Sequence, residues 1–258
     1  MPPSVAIWMY GSHARGDPDS DSDLDVLVVS TERIDTARVA LWTGLESSLS
    51  TSQYSWPEIQ GMAAYGSLFL HHIRLEGRRL VEGRLVEGRL QHILASLPDY
   101  KRAPLDLAAF QLTLNDVRES LRAGGSAAFE ASILATVLRH ASILGCYVSG
   151  FPSFGRIEPI RRVVDAWHLD HHIAEEFPKL YRYRIRADRN LDFPDDLGRA
   201  ELAIWCDYID RVLCKLEEQV RDYHTRMSPA TGSCQGSGWS PGSGVRRPHA
   251  AETTDPQL

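Results

Sequence analysis

Apolar and polar positions alternate in short blocks along the first hundred residues. Residues 5–10 form an apolar run that ends at a glycine, and residues 24–29 form a second run rich in β-branched side chains. Both runs predict buried strands, and a weaker strand is predicted near residues 50–55. Between the second and third strands, residues 32–50 have helical spacing. The apolar face of this helix is expected to contain Ile34, Leu41, Trp42 and Leu45.

A proline-marked segment, residues 96–106, precedes a much more helical part of the chain. The last helical pattern, within residues 197–224, has apolar side chains at steps of three and four. They are Leu202, Trp205, Ile209, Val212, Leu213 and Leu216. From about residue 227, Gly, Ser and Pro dominate and large apolar side chains are nearly absent. Such a composition predicts a disordered tail over residues 227–258.

Net charge, cysteine spacing and the N-terminal sequence limit the classes of protein to which this chain could belong. The formal net charge is -6 and the pI is about 5.9, whereas proteins that coat nucleic acids are usually basic. A local basic pocket is still compatible with this charge. The four cysteines include no C-x-x-C pair, and the N-terminus lacks the layout of a signal peptide. No apolar run is expected to approach the length of a membrane span, so we predict a cytoplasmic protein without a membrane partner.

The second predicted strand begins in an unusually acidic stretch, with five aspartates between residues 17 and 25. Asp23 and Asp25 are two positions apart, so on a strand both side chains point to the same face. Two adjacent carboxylates repel each other unless a cation lies between them. Mg²⁺ takes oxygen ligands and commonly adds substrate phosphates, so the pair predicts a Mg²⁺ site.

A glycine and a serine follow the first predicted strand directly. Gly11 allows backbone N–H groups to approach a phosphate closely, and the hydroxyl of Ser12 adds another donor. A phosphate cradle and a carboxylate pair are therefore joined by a ten-residue spacer. Asp17, Asp19 and Asp21, within that spacer, are expected to be solvated turn residues.

The whole stretch GSHARGDPDSDSDLDVLVV resembles the signature of the DNA polymerase β-like nucleotidyltransferase superfamily. It is particularly similar to the small bacterial minimal nucleotidyltransferases, with GS-x-A-R-G and S-D-x-D. The resemblance implies a metal-dependent transfer of a nucleoside monophosphate from an NTP to an acceptor, with release of pyrophosphate. Gly11 and Ser12 would then hold phosphates, and Asp23 and Asp25 would hold the metal. For Arg15, a phosphate contact and a surface pair with Asp17 or Asp19 both remain open.

Two departures from the family pattern stand out. A third carboxylate usually lies on a later strand, but the corresponding segment here, SLSTSQYS, contains no acid. Glu58 is the nearest candidate for a third catalytic carboxylate, although Trp56-Pro57-Glu58 also predicts a helix start at which Glu58 is a favourable N-terminal charge. Family members usually have a helix before the first strand, whereas this chain has MPPS, which predicts a truncated start or a reduced lobe.

We predict an α+β protein with a small mixed-sheet nucleotidyltransferase lobe at residues 1–95. An α-helical bundle at residues 100–226 is expected to offer the acceptor site, and the disordered tail follows. The acceptor class stays open among small molecules, proteins and RNA. The alternative function is a nucleotide-binding, antitoxin-like or interaction protein with little or no transfer, which the missing third acid favours; either function leaves room for a protein partner.

One segment of the helical part is rich in arginine. If residues 181–189, YRYRIRADR, were extended, Arg182, Arg184 and Arg186 would share one face. Such a face predicts a phosphate-binding or RNA-binding stripe. Ion pairs with Glu175, Glu176 or the first lobe are the favoured interpretation, because the protein is acidic overall.

Overall fold

The computed structural model describes residues 4–19, 22–45, 49–194 and 196–227, and the tail beyond them lies outside the described residues. The predicted α+β class is confirmed. A four-stranded mixed sheet contains β1 (Ala6–Tyr10), β2 (Leu24–Val29), β3 (Leu49–Tyr54) and β4 (Arg78–Glu82), in the order β3-β2-β1-β4. Strand β1 is antiparallel to β2 and β4, whereas β2 and β3 are parallel.

The lobe around the sheet contains five helices. They are α1 (Gly11–Arg15), α2 (Thr36–Thr43), α3 (Trp56–Ala64), α4 (Leu68–Glu76) and α5 (Arg89–Ala95). Apolar side chains on both faces of the sheet are buried against these helices, in two clusters. The expected face of α2 is only partly correct, because Leu41 is 79% exposed and Val39 is buried instead.

Five further helices follow in the described chain, and four of them have 17 residues or more. They are α6 (Ala103–Ala123), α7 (Ala127–Val148), α8 (Glu158–Ala166), α9 (His172–Asp188) and α10 (Arg199–Met227). Helix α7 is central, since it packs against α6, α8, α9 and α10. A single large cluster of buried side chains holds these helices together. The described residues up to 227 belong to one compact unit, and a domain boundary between residues 95 and 100 stays a prediction.

Helix α7 has 22 residues and is rich in apolar side chains, so one apolar stretch does approach the length of a membrane span, contrary to expectation. Among the described residues, it is the one helix whose length and composition would suit a membrane span. Most of its apolar stretch is buried inside the protein, as is usual for the central helix of a bundle.

The arginine-rich segment is helical, so the extended stripe is wrong. Ile173, Phe177 and Leu180 recur at steps of three and four in α9 and are buried, which favours a helix over a strand. The favoured structural pairing is found: Arg189 lies 3.9 Å from Asp23 of the first lobe, as expected, whereas two other arginines have partners that were not expected. Arg182 pairs with Asp196 at 2.6 Å and Arg184 pairs with Asp188 at 3.0 Å.

Several polar contacts fix the lobe against the helices. His71 of α4 is buried, and its Nε2 lies 3.1 Å from the carbonyl oxygen of Pro98 and 3.0 Å from the hydroxyl of Tyr147. Asp19 accepts a hydrogen bond from Arg156 at 2.6 Å. These contacts place the end of the sheet that carries the acidic stretch opposite α7, α8 and α9.

Alanine substitutions at two helical glycines, one in α7 and one in α3, test how closely α7 packs against its neighbours. A Cβ atom at Gly145 would lie 2.8 Å from Cζ2 of Trp167 and 3.1 Å from Cγ1 of Val163. We expect Gly145→Ala to destabilise the protein by about 1–3 kcal/mol through overpacking. Gly61 of α3 has nothing within 4 Å of such an atom. Gly61→Ala is therefore the matched control and should stabilise the protein by up to about 1 kcal/mol through helix propensity.

Urea denaturation of both variants measures the difference. Equal stabilities for Gly145→Ala and Gly61→Ala would contradict the close approach of α7 to Trp167.

Candidate active site

The candidate site lies where three neighbouring strands meet. Asp25 of β2 is opposite Tyr10 on β1, and it is opposite Ser50 on β3. Gly11 follows Tyr10 immediately, so the sheet brings the predicted phosphate cradle to the predicted carboxylate pair. Asp23 precedes β2 and, two positions from Asp25, emerges on the same side of the sheet.

Gly11 and Asp25 are in very close contact. Gly11 has a φ of +74°, in the left-handed region, and a Cβ atom there would lie 2.6 Å from Oδ2 of Asp25. Any side chain at position 11 would displace the carboxylate as well as strain the backbone. The glycine therefore determines where the Asp25 carboxylate lies.

The Asp25 carboxylate is poorly compensated. Burial raises its pKa above the usual aspartate value, the nearby charge of Asp23 raises it further, and a hydrogen bond from the Ser50 hydroxyl opposes both effects. Asp23 is about half exposed, and its Oδ2 lies 3.9 Å from the Arg189 guanidinium. The charge repulsion between the two aspartates is the feature that a bound cation would relieve.

Serines occupy the part of β3 that faces Asp25. Ser50 hydrogen-bonds to Asp25, and the Ser52 hydroxyl lies 2.9 Å from the Tyr10 hydroxyl. Tyr10 is buried, which raises its pKa to about 12. This end of β3 therefore contributes neutral hydrogen-bonding groups where a third carboxylate was sought.

Glu58 lies elsewhere, so the structure does not bring it together with Asp23 and Asp25. Strands β2 and β3 are parallel, Asp25 lies near the start of β2, and Glu58 comes after the end of β3. Its carboxylate accepts hydrogen bonds from the Ser55 backbone N–H at 2.7 Å and from the Ser55 hydroxyl at 2.8 Å. These contacts form a capping box on α3 and lower the pKa of Glu58.

Arg15 makes the surface pair with Asp17 that the sequence left open, whereas its phosphate contact stays a prediction. Its Nε lies 3.1 Å from Asp17, and its Nη1 lies 2.7 Å from Glu76 of α4. Asp17 is 63% exposed, as expected for a solvated turn residue, whereas Asp19 pairs with Arg156 and Asp21 lies outside the described residues. Arg15 also lines the cleft described next.

His72 and Glu76 are site residues that the sequence analysis missed. Nε2 of His72 lies 2.9 Å from Oε2 of Glu76, one helical turn further along α4. The His72 ring stacks on Phe154 and meets the edge of Tyr10. Hydrogen bonds from His72 and Arg15 lower the pKa of Glu76, outweighing its burial. The signal was present as a histidine four positions before an acid on an amphipathic helix.

A large cleft joins these groups to the helical part of the chain. It has a volume of about 1180 Å³ and contains Gly11, Ser12, Asp25, His72 and Glu76. Six arginines line it, and they come from the lobe and from the helical part. They are Arg15, Arg139, Arg156, Arg161, Arg162 and Arg184. Carboxylates line the same cleft, and four of these arginines already pair with an acid, so the surplus of positive charge is small. The carboxylates of the lining are Asp17, Asp19, Asp25, Glu76 and Glu158. A lining with charges of both signs suits a ligand that combines negative charge with a bound cation.

The donor set of this cleft fits a divalent cation that is shared with a substrate. Within the described part of the chain, no group of three or more His, Cys, Asp or Glu side chains is arranged to hold a metal by itself. Mg²⁺, however, commonly binds through one or two carboxylates and completes its shell with water and substrate phosphates. Asp25 in the cleft lining and Asp23 beside it provide such a pair.

Comparison with known proteins agrees with the sequence motif. Residues 1–51 match the model of the nucleotidyltransferase domain family, and this segment contains Gly11, Ser12, Asp23 and Asp25. The resemblance to the polymerase β-like nucleotidyltransferase superfamily is thereby confirmed, and it supports a transferase of nucleoside monophosphates in general. A search of curated proteins gives no match.

Solved structures provide only distant similarities. A nucleotidyltransferase-like protein from Exiguobacterium sibiricum aligns at 14% identity over 88% of this chain and 74% of its own, with a TM-score of 0.39. A toxin–antitoxin solved with AMP-PNP aligns at 16% identity over 46% of this chain and 89% of its own, with a TM-score of 0.27. A mutant of the toxin–antitoxin MntA-HpeT aligns at 15% identity over the same shares, also with a TM-score of 0.27. Similarity at this level indicates neither a shared activity nor a shared partner.

Two isosteric substitutions should have opposite effects on stability. The raised pKa of Asp25 means that its charged form destabilises the fold, and this cost is absent below the unfolded-state pKa of about 3.9 and grows as the pH rises. Asp25→Asn should therefore raise the melting temperature at pH 7 without metal. The pKa of Glu58 is lowered instead, so its charged form stabilises the folded protein, and this stabilisation is lost as the pH falls. Glu58→Gln should therefore lower the melting temperature at pH 7.

Calorimetric melting curves at pH 7 and near pH 3.5 would measure both effects. We expect both differences from the wild type to shrink at the lower pH. A lower melting temperature for Asp25→Asn at pH 7 would contradict the poorly compensated carboxylate.

Proposed function

We propose that this cleft transfers a nucleoside monophosphate from a Mg²⁺-bound NTP to an acceptor that enters from the side of the helical part. The observation that carries the proposal is the contact of Gly11 with Asp25 at the mouth of an arginine-rich cleft. Phosphoryl transfer depends mainly on positioning and on charge neutralisation, and the cleft offers groups for both.

Gly11, Ser12 and Arg15 are the proposed phosphate ligands. The Gly11 backbone faces the Asp25 carboxylate without an intervening side chain, so phosphate and metal ligands can share a small volume. Arg15 already binds Asp17 and Glu76 through Nε and Nη1, and within the described part of the chain its Nη2 makes no hydrogen bond. That nitrogen is available for a phosphate oxygen.

Asp23 and Asp25 are the proposed ligands of Mg²⁺. Bound Mg²⁺ would neutralise charge that develops on the phosphate oxygens. Ser50 would hold the orientation of Asp25 through its hydrogen bond, and Arg189 would hold Asp23.

The transfer forms a bond between an acceptor oxygen and the α-phosphorus and breaks the bond from that phosphorus to the oxygen that bridges the α- and β-phosphates, which leaves as part of pyrophosphate. A hydroxyl acceptor also loses a proton, and His72 is the proposed base. Because its Nε2 donates to Glu76, its Nδ1 carries the lone pair; this tautomer is assigned from the hydrogen bond. Within the described part of the chain, Nδ1 makes no hydrogen bond, and His72 lines the cleft.

A binding protein without transfer is the second candidate. The observation that favours it is the pair Ser50 and Ser52, which lie near Asp25 where a third carboxylate was sought. Such a protein would bind Mg²⁺-NTP with the same residues and would transfer nothing. A binding assay and a transfer assay on the same variants separate the two functions.

We expect Asp23→Asn combined with Asp25→Asn to weaken Mg²⁺-dependent NTP binding at least about tenfold, or about 1.4 kcal/mol, because both metal-binding charges are lost. Titration calorimetry with ATP, GTP, CTP and UTP, in Mg²⁺ and in EDTA, measures the change. Glu58→Gln is the matched control, since Glu58 lies outside the cleft, and should bind as the wild type does. Unchanged affinity in a folded double variant would disprove the site.

The role of His72 is tested by transfer of label from α-³²P-labelled NTPs to components of a cell extract. His72→Asn should reduce transfer by about 10²–10⁴-fold while leaving nucleotide affinity nearly unchanged, because a base acts in the chemical step. Glu58→Gln should keep the wild-type rate. A slow Glu58→Gln variant beside an active His72→Asn variant would reverse this assignment and restore Glu58 as the base.

A further inference from the structure

A second cavity adjoins the cleft, between the lobe and helices α6 and α7. Its volume is about 460 Å³, which suits a small organic molecule. Its walls are largely aromatic and aliphatic. They include Tyr65, Leu68, Phe69, Tyr100, Phe110 and Phe154.

The cavity opens into the proposed nucleotide site. Phe69, His72, Arg139 and Phe154 line both the cavity and the cleft. A molecule held in the cavity would therefore face His72, the proposed base, while the nucleotide lies along Gly11 and Asp25. This arrangement makes the cavity the natural place for an acceptor.

Arg139 of α7 is the main charged group at this junction. Its Nη2 donates to the carbonyl oxygen of Phe154 at 3.1 Å. Its Nε is buried and has no hydrogen-bond partner within the described part of the chain, where no carboxylate lies within ion-pair distance. Burial lowers the pKa of Arg139, as do Arg156 and Arg15, whereas Tyr181 and Asp25 oppose this shift without reversing it. A positive charge left in this condition is costly unless a ligand supplies the missing partner.

The remaining charged groups of the cavity do not reverse its sign. Arg102 stacks over the Tyr65 ring, with its guanidinium carbon 3.8 Å from the ring centre. Asp106 accepts a hydrogen bond from the Tyr100 hydroxyl, and burial raises the pKa of this carboxyl. His140 is exposed and carries no negative charge, and the neighbouring charges of Arg139 and Arg184 disfavour its protonation. The charged residues of the cavity lining are therefore Arg102, Arg139 and Asp106, and this excess of positive charge disfavours binding of a polycationic molecule.

We propose that this cavity binds the acceptor, and that the acceptor is a small organic anion with an aromatic or otherwise apolar body and a carboxylate or phosphate that pairs with Arg139. The proposal rests on the proposed transferase function, which it deepens by naming a substrate class. The apolar body would fill the aromatic walls, and the planar guanidinium would bind two oxygens of the anionic group.

The test compares three probes with similar aromatic bodies by titration calorimetry on the full chain. 3-(4-Hydroxyphenyl)propionate carries a carboxylate, phenyl phosphate carries a phosphate, and tyramine carries an ammonium group. We expect at least one anion to bind at least about tenfold more tightly than tyramine. The tighter anion identifies the preferred anionic group.

Variants locate the binding site. Arg139→Gln should remove the preference for the anion, and Arg139→Lys should retain part of it. Phe110→Ala, which changes an aromatic wall outside the cleft, should weaken both anions and leave Mg²⁺-NTP binding unchanged. Arg211→Gln, at an arginine that lies over Tyr208 and lines neither space, is the matched control and should change nothing. Melting temperatures confirm that each variant is folded.

Tyramine binding as tight as that of the anions would overturn the inference, and so would the absence of anion binding at millimolar concentrations. Anion binding that is unaffected by Arg139→Gln and Phe110→Ala would place the probe elsewhere and overturn it as well. The same samples are titrated with Mg²⁺-NTP. If Mg²⁺-NTP binds normally but the anions do not bind in preference to tyramine, this inference alone is rejected. If the anions are preferred but Mg²⁺-NTP does not bind, the proposed function is rejected and an anion site in the cavity is retained.

Discussion

The candidate site depends on one interaction, the contact between the Gly11 backbone and the Asp25 carboxylate. Strand β1 ends and strands β2 and β3 begin at this point, and the absence of a side chain at Gly11 leaves room for the carboxylate. Asp25 is held there although burial and Asp23 both oppose its charge. A fold selected only for stability would place a neutral side chain in this position, so the cost indicates a functional requirement.

The helical part of the chain contributes arginines that face the aspartates of the lobe across the site. Arg156 pairs with Asp19 and Arg189 lies near Asp23, so these two arginines also connect the acidic stretch to the helices. Arg139 differs from them, since it faces the cleft without an ion-pair partner within the described part of the chain. The site thus suits a ligand whose bound cation contacts the aspartates of the lobe and whose negative charge faces the arginines of the helical part.

Local sequence predicted three of the four strands and the motif, because β1, β2 and the Gly11-Ser12 segment depend on short-range patterns. The sequence did not predict the positions of residues that depend on strand pairing direction or on helix packing. The parallel pairing of β3 takes Glu58 away from Asp25, and the burial of Ile173 and Phe177 makes the arginine-rich segment helical. His72, Glu76 and Arg139 reach the cleft only through helix packing, which no local spacing reveals.

The most direct test of this account is the titration of the Asp25 side chain, followed by NMR of its ¹³C-labelled carboxyl carbon. In the free protein, we expect a pKa above the ordinary aspartate value of about 3.9. Addition of Mg²⁺ with a non-hydrolysable NTP analogue should lower it by at least about one unit, because the cation stabilises the charged form. An ordinary pKa in the free protein that does not respond to Mg²⁺ and nucleotide would contradict the account.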